Sequence, residues 1–145
     1  MTWYQGDMEL TESVRTALTS GHLAHLVTLG PDGAPQVSLV WVGLEDDEIV
    51  AGHLGVWQKV ANVRRDTRVV LSMETGGHAP NGLAHYLVVY GTARITEGGA
   101  PELLQRLARI YLGPDIKFPP MDDPPPGYIT RIRPERIAGV GPWRP

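Results

Sequence analysis

The chain is predicted to be mainly β with flanking helices, a six-stranded antiparallel barrel in one domain over residues 1–145. Three observations carry this. Apolar and β-branched runs of strand length recur along the sequence. The links between them are mostly short and rich in Gly, Pro, Asn and Asp, which suits antiparallel neighbours. No G-x-G-x-x-G follows any strand, which removes a doubly wound dinucleotide fold.

In order, residues 1–21 hold an N-terminal helix from Met8 to Ser20, with Leu10, Val14, Ala17 and Leu18 at helical spacing and Gly21 as a stop. His22–Leu29 and Ala34–Gly43 form a hairpin through Gly30-Pro31-Asp32-Gly33, whose Pro presets φ and whose Gly33 accepts positive φ. On the second of these strands Gln36, Ser38, Val40 and Val42 share one face, and Val37, Leu39, Trp41 and Gly43 the other. A polar turn at Leu44–Asp47 leads into the third strand, Glu48–His53.

A short helix then carries the chain to the fourth strand, around Arg68–Leu71, and residues 75–84 read as a long glycine-rich loop. The fifth strand, His85–Thr96, is apolar on both faces as far as Tyr90, the mark of a central strand or a subunit contact, and Gly91 reads as a bend. A helix over Pro101–Leu112 follows, then a proline-rich loop over residues 113–127, long and stiff enough for a lid as well as for a plain surface excursion. Tyr128–Arg133 is the sixth strand.

Composition excludes several classes of function. A net charge of −3, with no basic run and no zinc-finger spacing, argues against nucleic acid. No apolar run approaches the ~18 residues of a membrane span, and the polar start MTWYQGDMELTES is not a signal peptide, so a cytoplasmic protein is expected. The chain has no cysteine, which excludes thiol chemistry and disulfides. Its five histidines are scattered, and neither H-E-x-x-H nor G-x-S-x-G occurs, so no metal site and no nucleophile-plus-base mechanism is expected. A chain so poor in catalytic side chains points to chemistry carried by a cofactor.

The stretch His53–Met73 is where such a cofactor would sit. Its helical part places Lys59 in the first turn and Asn62 three residues on, and a helix start offers unpaired N–H groups and partial positive charge, a seat for phosphate. Spacing alone also fits a plainer arrangement, with Val56, Val60 and Val63 pinning a connecting helix and Lys59, Arg64, Arg65, Asp66 and Arg68 solvated.

The block Lys59-Val-Ala-Asn62-Val-Arg64-Arg65-Asp66-Thr-Arg68-Val69, downstream of Gln36-Val37-Ser38 and Val40-Trp41, resembles the split β-barrel flavin/deazaflavin oxidoreductases, the superfamily of the pyridoxamine 5′-phosphate oxidases. Within it the pattern is similar to the actinobacterial branch that uses coenzyme F420, the FDOR-B type, and the likeness runs from about His22 to Trp143.

This resemblance implies a homodimer of split barrels with the cofactor at the subunit interface, and hydride transfer between reduced deazaflavin and a small electron-poor acceptor. Lys59 and Asn62 would hold the tail phosphate with help from Gln58, and the ring would lie against Gln36, Val37, Ser38 and His53. Position 57 often carries a basic residue in these enzymes; here it is Trp57, which can stack but cannot neutralise charge. Two alternatives stay open: an FMN-dependent enzyme of the oxidase type, and a protein that binds a cofactor or haem-like molecule without turning it over.

Overall fold

The computed structural model describes the backbone of residues 2–5 and all of residues 9–144. The elements are β1 (Thr2–Gln5), α1 (Glu12–Leu18), β2 (Ala24–Leu29), β3 (Pro35–Val40), β4 (Gly43–Glu45), β5 (Glu48–His53), α2 (Gln58–Arg65), β6 (Arg68–His78), β7 (Ala84–Glu97), α3 (Ala100–Tyr111) and β8 (Tyr128–Val140). The strands pair antiparallel in the order β3-β2-β6-β7-β8-β5-β4, and β1 pairs with β8 beyond the stretch that β5 occupies.

The two ends of this order are consecutive in the chain. β3 passes into β4 through Trp41 and Val42 alone, so the sheet must curl until its first and last strands meet. The core agrees. One cluster takes Leu26 from β2, Leu71 and Met73 from β6, Leu87 and Val89 from β7, Ile132 and Ile137 from β8, and Ile49 and Ala51 from β5, which a flat sheet could not bring together. β3 and β4 share no ladder, and that seam is where the barrel is split.

Tyr111, at the end of α3, closes the seam from outside. Its hydroxyl accepts from Val42 N–H at 3.1 Å and donates to His22 C=O at 2.9 Å, groups left over where the ladder breaks. Burial raises the pKa of this hydroxyl, so it keeps the proton it donates. Tyr111→Phe is expected to cost about 1–3 kcal/mol, the penalty of a buried donor left without a partner. Urea unfolding measures it, and an unchanged midpoint would mean that water replaces the hydroxyl.

Several expectations are corrected. Six strands become eight among the described residues, because β1 and β4 are added. β4 takes Leu44 and Glu45 out of the expected polar turn, which shrinks to Asp46 and Asp47. The N-terminal helix shortens to Glu12–Leu18 behind an N-cap at Thr11, its expected start at Met8 lies outside the described residues, and the segment 1–21 also contains a strand.

The glycine-rich loop at 75–84 is mostly hairpin: β6 runs to His78, with a register shift after Glu74 where Gly76 and Gly77 take positive φ. The last strand runs past Arg133 to Val140, although Pro134 lacks an N–H for the ladder. Pro134 is tolerated because it faces Gly91 at a register shift between β7 and β8, where a Cβ on residue 91 would run into the Arg133 carbonyl. The expected bend at Gly91 is thus this bulge, on a strand that is central, between β6 and β8.

Candidate functional site

Beside the seam, a pocket of about 300 Å³ opens between the end of β3, the end of β5 and the start of α2. Leu39, Val40, Trp41, His53, Leu54, Trp57, Lys59 and Phe118 are among the residues that line it. Its walls are aromatic and aliphatic, with one cation and no carboxylate in the lining. That composition suits a flat conjugated ring carrying an anionic group.

The segment between β5 and α2 sets the floor. Trp57 is the N-cap of α2, extended at φ −77° and ψ 167°, and it has no side-chain oxygen with which to cap the helix. Its carbonyl accepts from Val60 and Ala61, which leaves the first N–H groups of α2 without a side-chain cap. The indole folds back over Gly55, where a Cβ would stand 3.0 Å from the ring, and Trp57 remains 54 % exposed.

Lys59 sits half-buried at the pocket, and among the described residues no carboxylate pairs with it. Burial lowers its pKa from the usual value, and an anion placed against it would reverse that shift. His53, 3 % exposed, shares a hydrogen bond of 2.8 Å with Thr130 Oγ1. Its pKa falls to about 4, first because burial penalises the charged ring and second because Lys59 is positive, so the imidazole is neutral at physiological pH.

Asn62 stands differently from its neighbours. It is 0 % exposed, and its amide is fully used. Nδ2 donates to Thr28 Oγ1 at 3.0 Å and to Gln36 Oε1 at 2.7 Å, while Oδ1 accepts from Gln58 Nε2 at 2.8 Å and from Arg65 at 2.9 Å. Arg65 can only donate, which fixes the orientation of the amide. The same guanidinium nitrogen also donates to Leu29 C=O at 2.6 Å. Asn62 therefore ties the start of α2 to β2 and β3 from beneath and presents no free donor to a ligand.

The expected residues fall into three groups. His53, Trp57 and Lys59 meet at the pocket, and Gln36, Gln58 and Asn62 meet in the amide network beneath it. On β3, Ser38 shares a face with Gln36, and its hydroxyl is buried without a partner among the described residues. Val37 points to the opposite face, the face of Leu39 and Trp41, and is 64 % exposed; neither Val37 nor Ser38 lines the pocket. The unpaired Lys59, the uncapped start of α2 and the aromatic and aliphatic lining together fit a ring with a phosphate tail.

Sequence reasoning missed Leu39 and Phe118 as pocket walls, Thr130 as the partner of His53, and Thr28 and Arg65 as partners of Asn62. Trp41 stood within the quoted motif without a role; its ring stacks on Tyr111 at 5.4 Å and meets Phe118 at 5.0 Å. A signal for Phe118 was present, since it is the only phenylalanine in the chain and lies in its most proline-dense stretch.

A split antiparallel barrel with an uncapped helix start beside an apolar pocket is a frame able to seat a ring that carries an anionic tail. The chain belongs to the pyridoxamine 5′-phosphate oxidase family, whose model matches residues 10–141, and so to a flavin/deazaflavin-type oxidoreductase superfamily. Among solved structures it is similar to an F420 reductase, with 25% identity, a TM-score of 0.69, and coverage of 89% of this chain and 98% of that one. It is also similar to a conserved hypothetical protein of Mycobacterium tuberculosis, at 25% identity and TM-score 0.66 over 96% of this chain and 88% of that one.

HupZ of Group A Streptococcus shares the fold at 20% identity and TM-score 0.62, over 93% of this chain and 97% of that one. A search of curated proteins found no match. Among the described residues no helix is long and apolar enough to cross a membrane, and no group of three or more His, Cys, Asp or Glu could hold a metal.

Proposed function

We propose that the chain is a coenzyme F420-dependent oxidoreductase that moves a hydride between reduced deazaflavin and a small electron-poor organic acceptor. The observation that carries this reading is the pocket above α2, with one unpaired cation, an uncapped helix start and aromatic walls. The similarity to an F420 reductase supports the same cofactor. When bound, the deazaflavin supplies the hydride-carrying carbon.

The rest is the work of this chain's side chains. Lys59 and the first N–H groups of α2 hold the tail phosphate, and Gln58, steadied by Asn62, lies beside them. The pocket's aliphatic walls give the ring an apolar surface to lie on. Neutral His53, held by Thr130, offers the ring a hydrogen-bonding group without adding charge. Asn62 acts through the residues it positions.

FMN is the rival cofactor, and the family match favours it. Its terminal phosphate concentrates more charge and calls for several cations, whereas the lining here has one and Arg65 is already engaged with Asn62 and Leu29. The homodimer belongs to the proposal too. A groove of about 430 Å³ on β2, β6, β7 and β8 has a floor of Val27, Leu29, Val70 and Tyr90 and a charged edge of Arg68, Glu135 and Arg136, a mixed face suited to a second copy. Light scattering tests it, with twice the chain mass expected.

Lys59→Ala is expected to weaken F420 binding by about 1.5–3 kcal/mol, the loss of a charge-assisted contact. Unchanged affinity would remove Lys59 from the site. Turnover is tested by following oxidation of reduced F420 against a panel of quinones, unsaturated lactones, tetrapyrroles and nitroaromatics. Oxidation with any member supports an enzyme; saturated binding without oxidation by any of them supports a store or sensor instead.

A further inference from the structure

The proline-rich arm, residues 113–127, does not lie freely over the surface. Most of its side chains are exposed; Phe118 and Pro119 turn inward, and Phe118 lines the pocket that holds His53 and Lys59 in the same chain. A single side chain of α3 fastens the arm at that point and just before it. Gln105 Nε2 donates to Ile116 C=O at 2.8 Å, and Gln105 Oε1 accepts from Phe118 N–H at 3.0 Å. The amide thus grips the backbone of an otherwise exposed segment at the residue that enters the pocket and two residues before it.

The Phe118 ring leans on Trp41 at a centroid distance of 5.0 Å and an angle of 58°, and Trp41 in turn stacks on Tyr111 at 5.4 Å and 16°. The wall is therefore backed by aromatic rings anchored on α3 and the seam, and the Gln105 clasp holds its backbone in place. The wall thus presents to the pocket an aromatic ring that is held from behind.

We infer that Phe118 is a specificity-determining residue of the pocket, and that Gln105, which does not itself line the pocket, is its positioning residue. Together they restrict the pocket to flat conjugated rings. The inference deepens the functional reading above, since it concerns the same pocket.

The test uses two probes on the cofactor-free protein by calorimetry: menadione, which is flat, and 2-tert-butyl-1,4-naphthoquinone, which carries bulk out of the plane. The unsubstituted protein is expected to bind menadione at least tenfold more tightly. Phe118→Ala should shrink that preference below threefold. Gln105→Ala should do the same, although its own side chain lies outside the pocket, and Phe118→Leu should fall between. Melting temperatures of the variants report folding separately.

An unchanged preference in folded Phe118→Ala, or no menadione binding by the unsubstituted protein, overturns the assignment of Phe118. A preference kept by Gln105→Ala overturns the clasp. F420 and FMN titrations of the same samples report the cofactor independently, so failure of the cofactor reading leaves the probe ratio interpretable.

Discussion

Replacing Asn62 with alanine is expected to lower the unfolding free energy by about 3 kcal/mol, among the larger effects of any single substitution here. The amide is fully buried and makes four hydrogen bonds. Removing it strands the buried Thr28 hydroxyl, opens a void beneath α2 and takes from Arg65, Gln36 and Gln58 the group that ties them together, although the two glutamines are exposed and can turn to water. Asn62→Asp separates stability from binding. A carboxylate still accepts from Gln58 and Arg65, Gln36 can turn its amide to donate, and Thr28 can rotate its hydroxyl, so the stability loss should be smaller than for alanine. The new negative charge beneath the start of α2 should nevertheless weaken binding of a phosphate-bearing ligand. Chemical unfolding and ligand titration of both variants test this. A stable Asn62→Ala protein would show that water fills the network.

His53 supplies the second large effect, through pH. Unfolded, it titrates near 6.5; folded, near 4, because it is buried against Thr130 and faces Lys59. Between those values the unfolded chain binds more protons, so stability rises with pH across that window. The contribution is complete above about pH 6.5, declines as pH falls toward 4, and amounts to an order of 3 kcal/mol at most. His53→Gln should remove this dependence while leaving the carboxylate-driven losses at lower pH. Unfolding free energies of both proteins at pH 7, 5.5 and 4.5 measure it, and equal slopes would show that His53 is not the titrating group.

Both effects rest on burial, which bears on what the sequence could and could not disclose. Period-two alternation on β3 placed Gln36 and Ser38 opposite Val37, and the ladder of β2 with β3 agrees. The strand-helix-strand reading of the stretch from Ile49 to Leu71 also stands, as β5, α2 and β6. Residue spacing placed Lys59 and Asn62 near one another but not at different depths. An amide three residues from a lysine reads as a second ligand, whereas Thr28, Gln36 and Arg65 draw it inward, and those partners lie up to 34 positions away in the chain. β4 was hidden because Leu44 and Glu45 run straight into Asp46 and Asp47 and look like part of that turn until β5 pairs with them. β8 was cut short because Pro134 reads as a stop, and only the opposing glycine on β7 shows why it is not. Phe118 escaped because arms and lids look alike until one residue is seen to be clasped.

The most direct measurement is a pair of titrations of the apo-protein followed by tryptophan fluorescence, one with F420 and one with FMN, since Trp57 and Trp41 both line the pocket. F420 is expected to bind at least tenfold more tightly and to quench the emission, with Trp57→Ala losing much of that quenching. Tighter binding of FMN would move the protein to the oxidase-type reading, and binding of neither would contradict the assignment of the α2 pocket as a cofactor site.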